Sequence, residues 1–319
     1  MWMFKKLFGG ETNTPPKTQD DDFKAVTKSM ARVSSRNLFG PYAKSPNGRY
    51  ILIWSDSDPD GHRGGQRESG LGRYALLESG QVIVEGRLER PNDGKVANNG
   101  VFLLHDWRFG QNLSGRICAF APDGRPLIDQ AVEANLFNNG LSPDGAFAAS
   151  QTANAPNEDG NQLFVFDLAK GELMTRFSPE IGWADSYRFD AKAQTIRLCQ
   201  RDGGEFAFGL DGRFIDREAW IEHGLAAGKP MVLETLLREA GGKVDVALAR
   251  RWNDGLKRAV ADPDLHPSYK ARLLRYSAEG HEAHGDAAAA LAAYEAAVQA
   301  DPKKGVKRKI ARLREQLRA

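Results

Sequence analysis

The stretch Ser142-Pro143-Asp144-Gly145, followed by Ala146-Phe147-Ala148-Ala149-Ser150 and, after a polar loop, by Gln162-Leu163-Phe164-Val165-Phe166-Asp167, decides the reading of this chain. Proline presets φ at one turn position and glycine accepts a positive φ at another, so Ser-Pro-Asp-Gly is a turn with a mechanism. The short apolar runs on either side then read as strands buried on one or both faces. Gly171 and the run Leu173–Phe177 add a second turn and a third strand.

Working outward, the same pattern recurs. Ser45-Pro46-Asn47-Gly48 precedes Arg49–Trp54, Asn98-Asn99-Gly100 precedes Val101–Leu104, and Asp190-Ala191-Lys192-Ala193 precedes Thr195–Cys199. The turn glycines Gly80, Gly124, Gly171 and Gly212 recur at intervals of 44, 47 and 41 residues. A period of about 40–45 residues with several strands per unit is the signature of propeller blades. The third unit resembles a bacterial WD40-like (PD40-type) propeller repeat, with Phe166-Asp167 standing where such repeats carry Trp-Asp. No unit opens on Gly-His, and the other units lack that aspartate. The resemblance covers about half the chain and implies a β-propeller-like all-β domain of about four repeat units. Propellers have about 4–8 blades, so a four-bladed ring, an incomplete ring closed by another segment and a sandwich of hairpins all stay open.

A second resemblance lies between Ala271 and Pro302, which is similar to one tetratricopeptide (TPR) repeat. Leu274, Ala278, Gly285, Ala290, Tyr294, Ala297 and Pro302 hold that family's bulky, small, turn, small, aromatic, small and closing-proline positions, and His281 stands where it usually has Tyr. Small residues at such positions let two antiparallel helices approach closely. Ahead of it, Leu248, Trp252, Leu256 and Val260 follow one another at four-residue steps, a helical stripe. A lone repeat must stack on neighbours to bury its apolar face. The resemblance implies that Arg272, Arg275, Glu279 and Glu282 face a partner-binding groove, where the arginines would clamp a peptide carboxylate.

Composition bounds the rest. The 319 residues, 41% hydrophobic and 27% charged, suffice for two domains with cores of their own. A net charge of +2 argues against a general nucleic-acid binder. Cys118 and Cys199 both fall in apolar strand patterns and read as buried thiols rather than a disulfide framework. No apolar run has the length of a membrane span. Met1–Phe8 lacks the order of a secretory signal and is too short for stable membrane anchoring, so a cytoplasmic location is expected. The expected organisation is α+β and multidomain: a largely disordered tail (1–36), a β-propeller-like domain (37–217) and a TPR-like α-helical domain (218–319). Asp216 is the expected N-cap of the first helix.

Candidate sites follow from local chemistry. Asp56-Ser57-Asp58-Pro59-Asp60-Gly61 is the first half of an EF-hand-like loop, so Asp56, Asp58 and Asp60 are candidate calcium ligands, although Arg67 stands where the bidentate glutamate belongs. Calcium is the one cofactor candidate. His105-Asp106 suggests a base and its orienter, yet neighbours on a strand point to opposite faces. His281 and His284 share a helix face without further ligands nearby. Gly70-Leu71-Gly72 leads into a strand, which excludes a dinucleotide fingerprint. Residues 303–318 carry eight Lys/Arg against Glu315, with Val306, Ile310, Leu313 and Leu317 as an apolar stripe. Lys307 and Arg308 there are candidates for an acidic protein partner, and nucleic acid is not expected because no aromatic interleaves the charges.

Gly-x-Ser-x-Gly, His-Glu-x-x-His and phosphate-loop motifs are absent. The expected function is therefore a protein–protein interaction adaptor or scaffold. The alternative is a hydrolase or lyase whose site is gathered from loops 55–70, 105–115, 151–161 and 200–204 at one end of the β domain.

Overall fold

The computed structural model describes residues 22–58, 64–201, 203–303 and 305–318. Among them, 17 strands come first and six helices follow. The chain divides into two compact units between Met174 and Thr175.

The first unit holds three antiparallel sheets. The first runs β1 (Phe23–Ala25), β2 (Met30–Val33), β3 (Leu38–Lys44), β4 (Tyr50–Ser55), β5 (Gly72–Glu78) and β6 (Gln81–Leu88) in chain order. The second comprises β7 (Pro91–Val96), β8 (Phe102–Asp106), β9 (Gly115–Phe120) and β10 (Pro126–Val132). The third comprises β11 (Leu136–Leu141), β12 (Phe147–Thr152), β13 (Leu163–Asp167) and β14 (Glu172–Phe177), and the division between units falls within β14. The second and third of these sheets start on strands that the turn-to-turn period does not mark, β7 and β11, and in the first sheet the unmarked β3 precedes β4. β1 and β2 occupy part of the span expected to be a disordered tail; Ala31 and Val33 are fully buried there, against Leu38, Ile51, Ile53 and Leu77. Residues 1–21, including the Met1–Phe8 segment, lie outside the described residues.

Side-chain alternation explains why the strands read as continuous apolar runs. Leu52, Trp54, Tyr74 and Leu76 face Val96, Phe102 and Leu104 of the second sheet, whereas Ile51, Ile53, Ala75 and Leu77 face the other way. Within the second sheet, Leu103, Ile117 and Ala119 turn towards Ala148, Phe164 and Phe166 of the third. Each sheet is thus covered by its neighbour, and burying a side chain such as Phe102 contributes roughly 1.5–3 kcal/mol. β7 lies against β3, β4 and β11, so the unmarked strands of successive sheets are neighbours.

The repeat holds at atomic level in the turns. Ser45 Oγ donates to Asn47 Oδ1 (2.7 Å) and accepts from Tyr50 N (2.9 Å). Ser142 Oγ donates to Asp144 Oδ1 (2.6 Å) and accepts from Phe147 N (2.9 Å), the same pattern. Gly48 and Gly145 close these turns, both at φ 73°, a value an L side chain adopts only with strain. Successive turns also bond one another: Asn47 N donates to Asn98 Oδ1 (2.8 Å), and Asn98 N donates to the Pro143 carbonyl (2.9 Å).

The second unit begins with a three-stranded sheet of β15 (Ser186–Asp190), β16 (Thr195–Gln200) and β17 (Gly204–Gly209). Helices α1 (Arg217–Ala227), α2 (Pro230–Glu239), α3 (Val246–Ala261), α4 (Pro267–Ala283), α5 (Ala287–Ala300) and α6 (Lys307–Gln316) follow. The change from strand to helix falls where the hydrophobic period changes, but this last sheet belongs to the same compact unit as the helices. Asp216 precedes α1 without capping it: its Oδ2 accepts from Ala207 N (2.9 Å) and from Arg197 (3.3 Å). Asp245 and Asp286 do cap, accepting from Leu248 N (2.8 Å) and Ala289 N (3.0 Å). Ala278, Ala290 and Tyr294 are fully buried in one cluster with Val306, Ile310 and Leu313, while Leu317 stays exposed.

Candidate functional site

The loop after β4 carries the candidate calcium ligands, and the structure gives Asp56 different partners. Its Oδ1 accepts from Arg67 (2.8 Å) and Arg90 (3.3 Å), and its Oδ2 accepts from Gly65 N (3.1 Å) and Arg90 (3.4 Å). Asp58 packs beside Gly70, and Asp60 lies outside the described residues. Among the described residues no group of three His, Cys, Asp or Glu is placed to hold a metal. Two guanidinium groups on one carboxylate oppose a cation at that position.

Arg67 is the hub. Its side chain is only 6% exposed, and it also donates to the carbonyls of Gly65 (2.9 Å), Gly70 (2.9 Å) and Glu89 (3.0 Å). Asp106, fully buried, accepts from the backbone N–H of Arg90 (2.7 Å), Glu89 (3.2 Å) and Arg108 (3.2 Å). Glu89 accepts from Phe109 N (2.6 Å). The described part of loop 55–70 converges with loop 105–115, where Gly110 N donates to the Arg67 carbonyl (3.2 Å), but Asp56, Glu89 and Asp106 are committed to guanidinium or backbone donors. None is a free general base.

His105 points to the opposite face from Asp106, as strand alternation requires. Its Nε2 lies 2.7 Å from Ser150 Oγ, and both residues are fully buried. Burial lowers its pKa to about 4, against the attraction of Asp93, so the imidazole is neutral. Cys118 is similarly inert, because burial pushes its thiol up to about 12. A Ser–His contact sealed from solvent offers no route for a substrate.

The residues expected to line a partner groove are tied up among the helices. Arg272 pairs with Glu234 of α2 (2.7 Å) and lies over the Tyr269 ring. Arg275 lies over Tyr276 and 3.7 Å from Glu279. Glu279 accepts from Lys309 of α6 (3.2 Å), and Glu282 from Tyr294 Oη (2.5 Å) and Arg312. These carboxylates hold α6 onto α4 rather than awaiting a peptide. Lys307 and Arg308, in the first turn of α6, are exposed. His281 and His284 line an α3–α4 cleft of about 410 Å³ with Trp252, but His284 Nδ1 is spent on the Gly280 carbonyl (2.9 Å).

Two clefts carry exposed aromatic residues that sequence reasoning did not single out. In the second unit, Ile181, Trp220 and Val232 floor a cleft of about 340 Å³. Trp183 and Met231 wall it, 43% and 47% exposed, and Arg201 and Lys229 stand on its rim. Gln200 Nε2 fixes the Trp183 loop by donating to the carbonyls of Ile181 (2.7 Å) and Trp183 (3.0 Å). In the first unit, Trp107 lies on the rim of a cleft of about 380 Å³ beside Arg90. The signal available was a tryptophan within a polar loop, outside any periodic run.

No family model matches the chain, and no curated protein matches it. Among solved structures it is similar to the crystal structure of the computationally designed Ika4 protein, at 10% identity over 53% of this chain and 88% of that one, with a TM-score of 0.35. A likeness of that size carries no argument about fold or function.

Proposed function

We propose that the chain is a protein-binding scaffold, built from a propeller-like β region and a TPR-like helical region. The observation that carries this reading is the Trp183–Met231 cleft. Large apolar side chains half exposed over a buried apolar floor cost stability unless something covers them, and Trp, Met and Arg are the residue types enriched where proteins meet. Arg201 and Lys229 on the rim, with Lys307 and Arg308 exposed on α6, favour a partner segment carrying an apolar anchor flanked by acidic residues.

The test is affinity capture from the protein's own cell extract, with Trp183→Ala/Met231→Ala and Lys307→Glu/Arg308→Glu variants run in parallel. A defined partner should be retained by the wild type and lost by the first variant. Identical captured sets for wild type and both folded variants would refute the proposal.

A further inference from the structure

Trp107 sits in a setting distinct from the Trp183 cleft. Its loop is held rigidly from beneath: Trp107 N donates to the Arg90 carbonyl (3.0 Å), Phe109 N to Glu89 Oε2 (2.6 Å) and Gly110 N to the Arg67 carbonyl (3.2 Å). Arg108 sits at φ 55°, a left-handed conformation unfavourable for a long side chain and sustained by that frame. The inward face of the loop is thus fully committed. The outward face presents the indole, 41% exposed, at a cleft with Gln66, Gln111, Asn112 and Asn135.

The chemistry of that lining is specific. Among the described residues the side-chain amides of Gln111, Asn112 and Asn135 have no hydrogen-bond partner, so each offers both donors and an acceptor to a ligand. Gln66 spends its Nε2 on the Gly110 carbonyl (3.2 Å) and leaves its carbonyl oxygen. The cleft's charged residue, Arg90, shares the Asp56 carboxylate with Arg67 and lies over the Trp107 ring (5.8 Å to its centroid), which leaves the ring's other face for a ligand. An anionic ligand would want an uncommitted cation, and Arg90 is committed; Leu113 and Leu136 also line the cleft, but the amides outnumber them and the lining is mainly polar. A hydroxyl is donor and acceptor at once, which matches an amide, and a ring presenting C–H edges matches the negative face of an indole.

We infer that this cleft is a binding site for a neutral carbohydrate, with Trp107 as the stacking platform and Gln111, Asn112 and Asn135 reading ring hydroxyls. Most of the ordering cost is met before binding, because the loop is already fixed.

The experiment is calorimetric and tryptophan-fluorescence titration of the full chain with cellohexaose, maltohexaose and chitohexaose, each up to about 10 mM, a range that captures weak sites. At least one should bind saturably. Trp107→Ala should weaken it at least about tenfold, with Trp107→Phe between the two and Asn112→Ala weaker by several-fold. Trp183→Ala should bind as the wild type does. No saturable binding of any of the three sugars overturns the inference. So does equal affinity in folded Trp107→Ala protein, or saturable binding of a neutral glutamine-rich peptide in place of the sugars.

Discussion

Two charged networks, one in each compact unit, use the same residue types to different ends. Around Arg67 the guanidinium is 6% exposed, Arg90 is 12% exposed and their shared carboxylate, Asp56, is 20% exposed. Between α4 and α6, Glu282 is 21% exposed, but its partners Lys309 and Arg312 are 41% and 61% exposed. The first network replaces water for three backbone carbonyls as well as a carboxylate, so it fixes the path of two loops. The second is bathed in water that would solvate its members equally well were they apart. Burial, rather than the number of ion pairs, sets what each is worth.

The largest loss is expected at Arg67. Arg67→Ala strands the carbonyls of Gly65, Gly70 and Glu89 and leaves Asp56 only Arg90 and the Gly65 N–H, so urea unfolding should show a loss of roughly 3–5 kcal/mol. Arg67→Lys should recover only part, because an ammonium cannot reproduce the planar fork. A loss below about 1 kcal/mol would mean that the network is no more valuable than a surface pair.

The next effect is protonic and belongs to the same unit. His105 is neutral in the fold, with a pKa of about 4, and protonates near 6.5 when unfolded. Between those values the unfolded chain binds the extra proton, so this contribution is complete above about pH 6.5 and is lost as pH falls towards 4. The lowering corresponds to about 3 kcal/mol across that window. In His105→Leu protein the acid-side decline should be shallower by a comparable amount. Parallel stability–pH curves for the two proteins would show that His105 does not titrate as its burial requires.

How much of this was legible depends on whether the signal was local. Ser142-Pro143-Asp144-Gly145 announces its own hydrogen bonds, and Ala278, Ala290 and Tyr294 announce a close helix pair, because backbone geometry and side-chain size are written in the residues concerned. β7, β11 and β15 were not legible: Pro91–Val96 and Leu136–Leu141 carry Asn, Asp and Gly, and they are strands because neighbouring sheets cover them. Asp56 misled for the same reason in reverse. A D-x-D-x-D-G string is a local cue, whereas Arg90 reaches Asp56 from 34 residues away. Glu279 and Glu282 occupy positions that face a groove in the resembled repeat, and α6, next in the chain, takes them. Trp107 and Trp183 stand in polar loops outside any periodic run, a cue that gains its meaning only from their exposure.

Within the helical region, Tyr294 joins a buried ring to a half-exposed charged pair. The side chain is fully buried, yet its hydroxyl donates to Glu282 (2.5 Å) and accepts from Lys309 Nζ (2.7 Å). Burial and the adjoining Glu282 both raise its pKa, so it stays a phenol. Tyr294→Phe keeps the packing and removes two hydrogen bonds, one to each of two charged groups that still pair with one another (3.6 Å), which should cost about 1.5–3 kcal/mol in thermal or urea unfolding. A neutral result would place the whole value of Tyr294 in its ring.

The smallest effect is expected one residue further out, at Arg312. Glu282 keeps Tyr294 Oη and Lys309 (3.6 Å) when this guanidinium is removed, so no buried group is left unpartnered. The arginine itself, 61% exposed, returns to water at little cost. Arg312→Ala should therefore destabilise by less than about 1 kcal/mol. Because the attraction crosses solvent, about 1 M salt should erase most of that difference, while the deficit of Arg67→Ala should survive it. Paired unfolding curves of the two variants at low and high salt measure both. If Arg312→Ala proved as costly and as salt-resistant as Arg67→Ala, exposure would not be what separates the two networks, and the geometry of the α4–α6 contact would have to carry the difference instead.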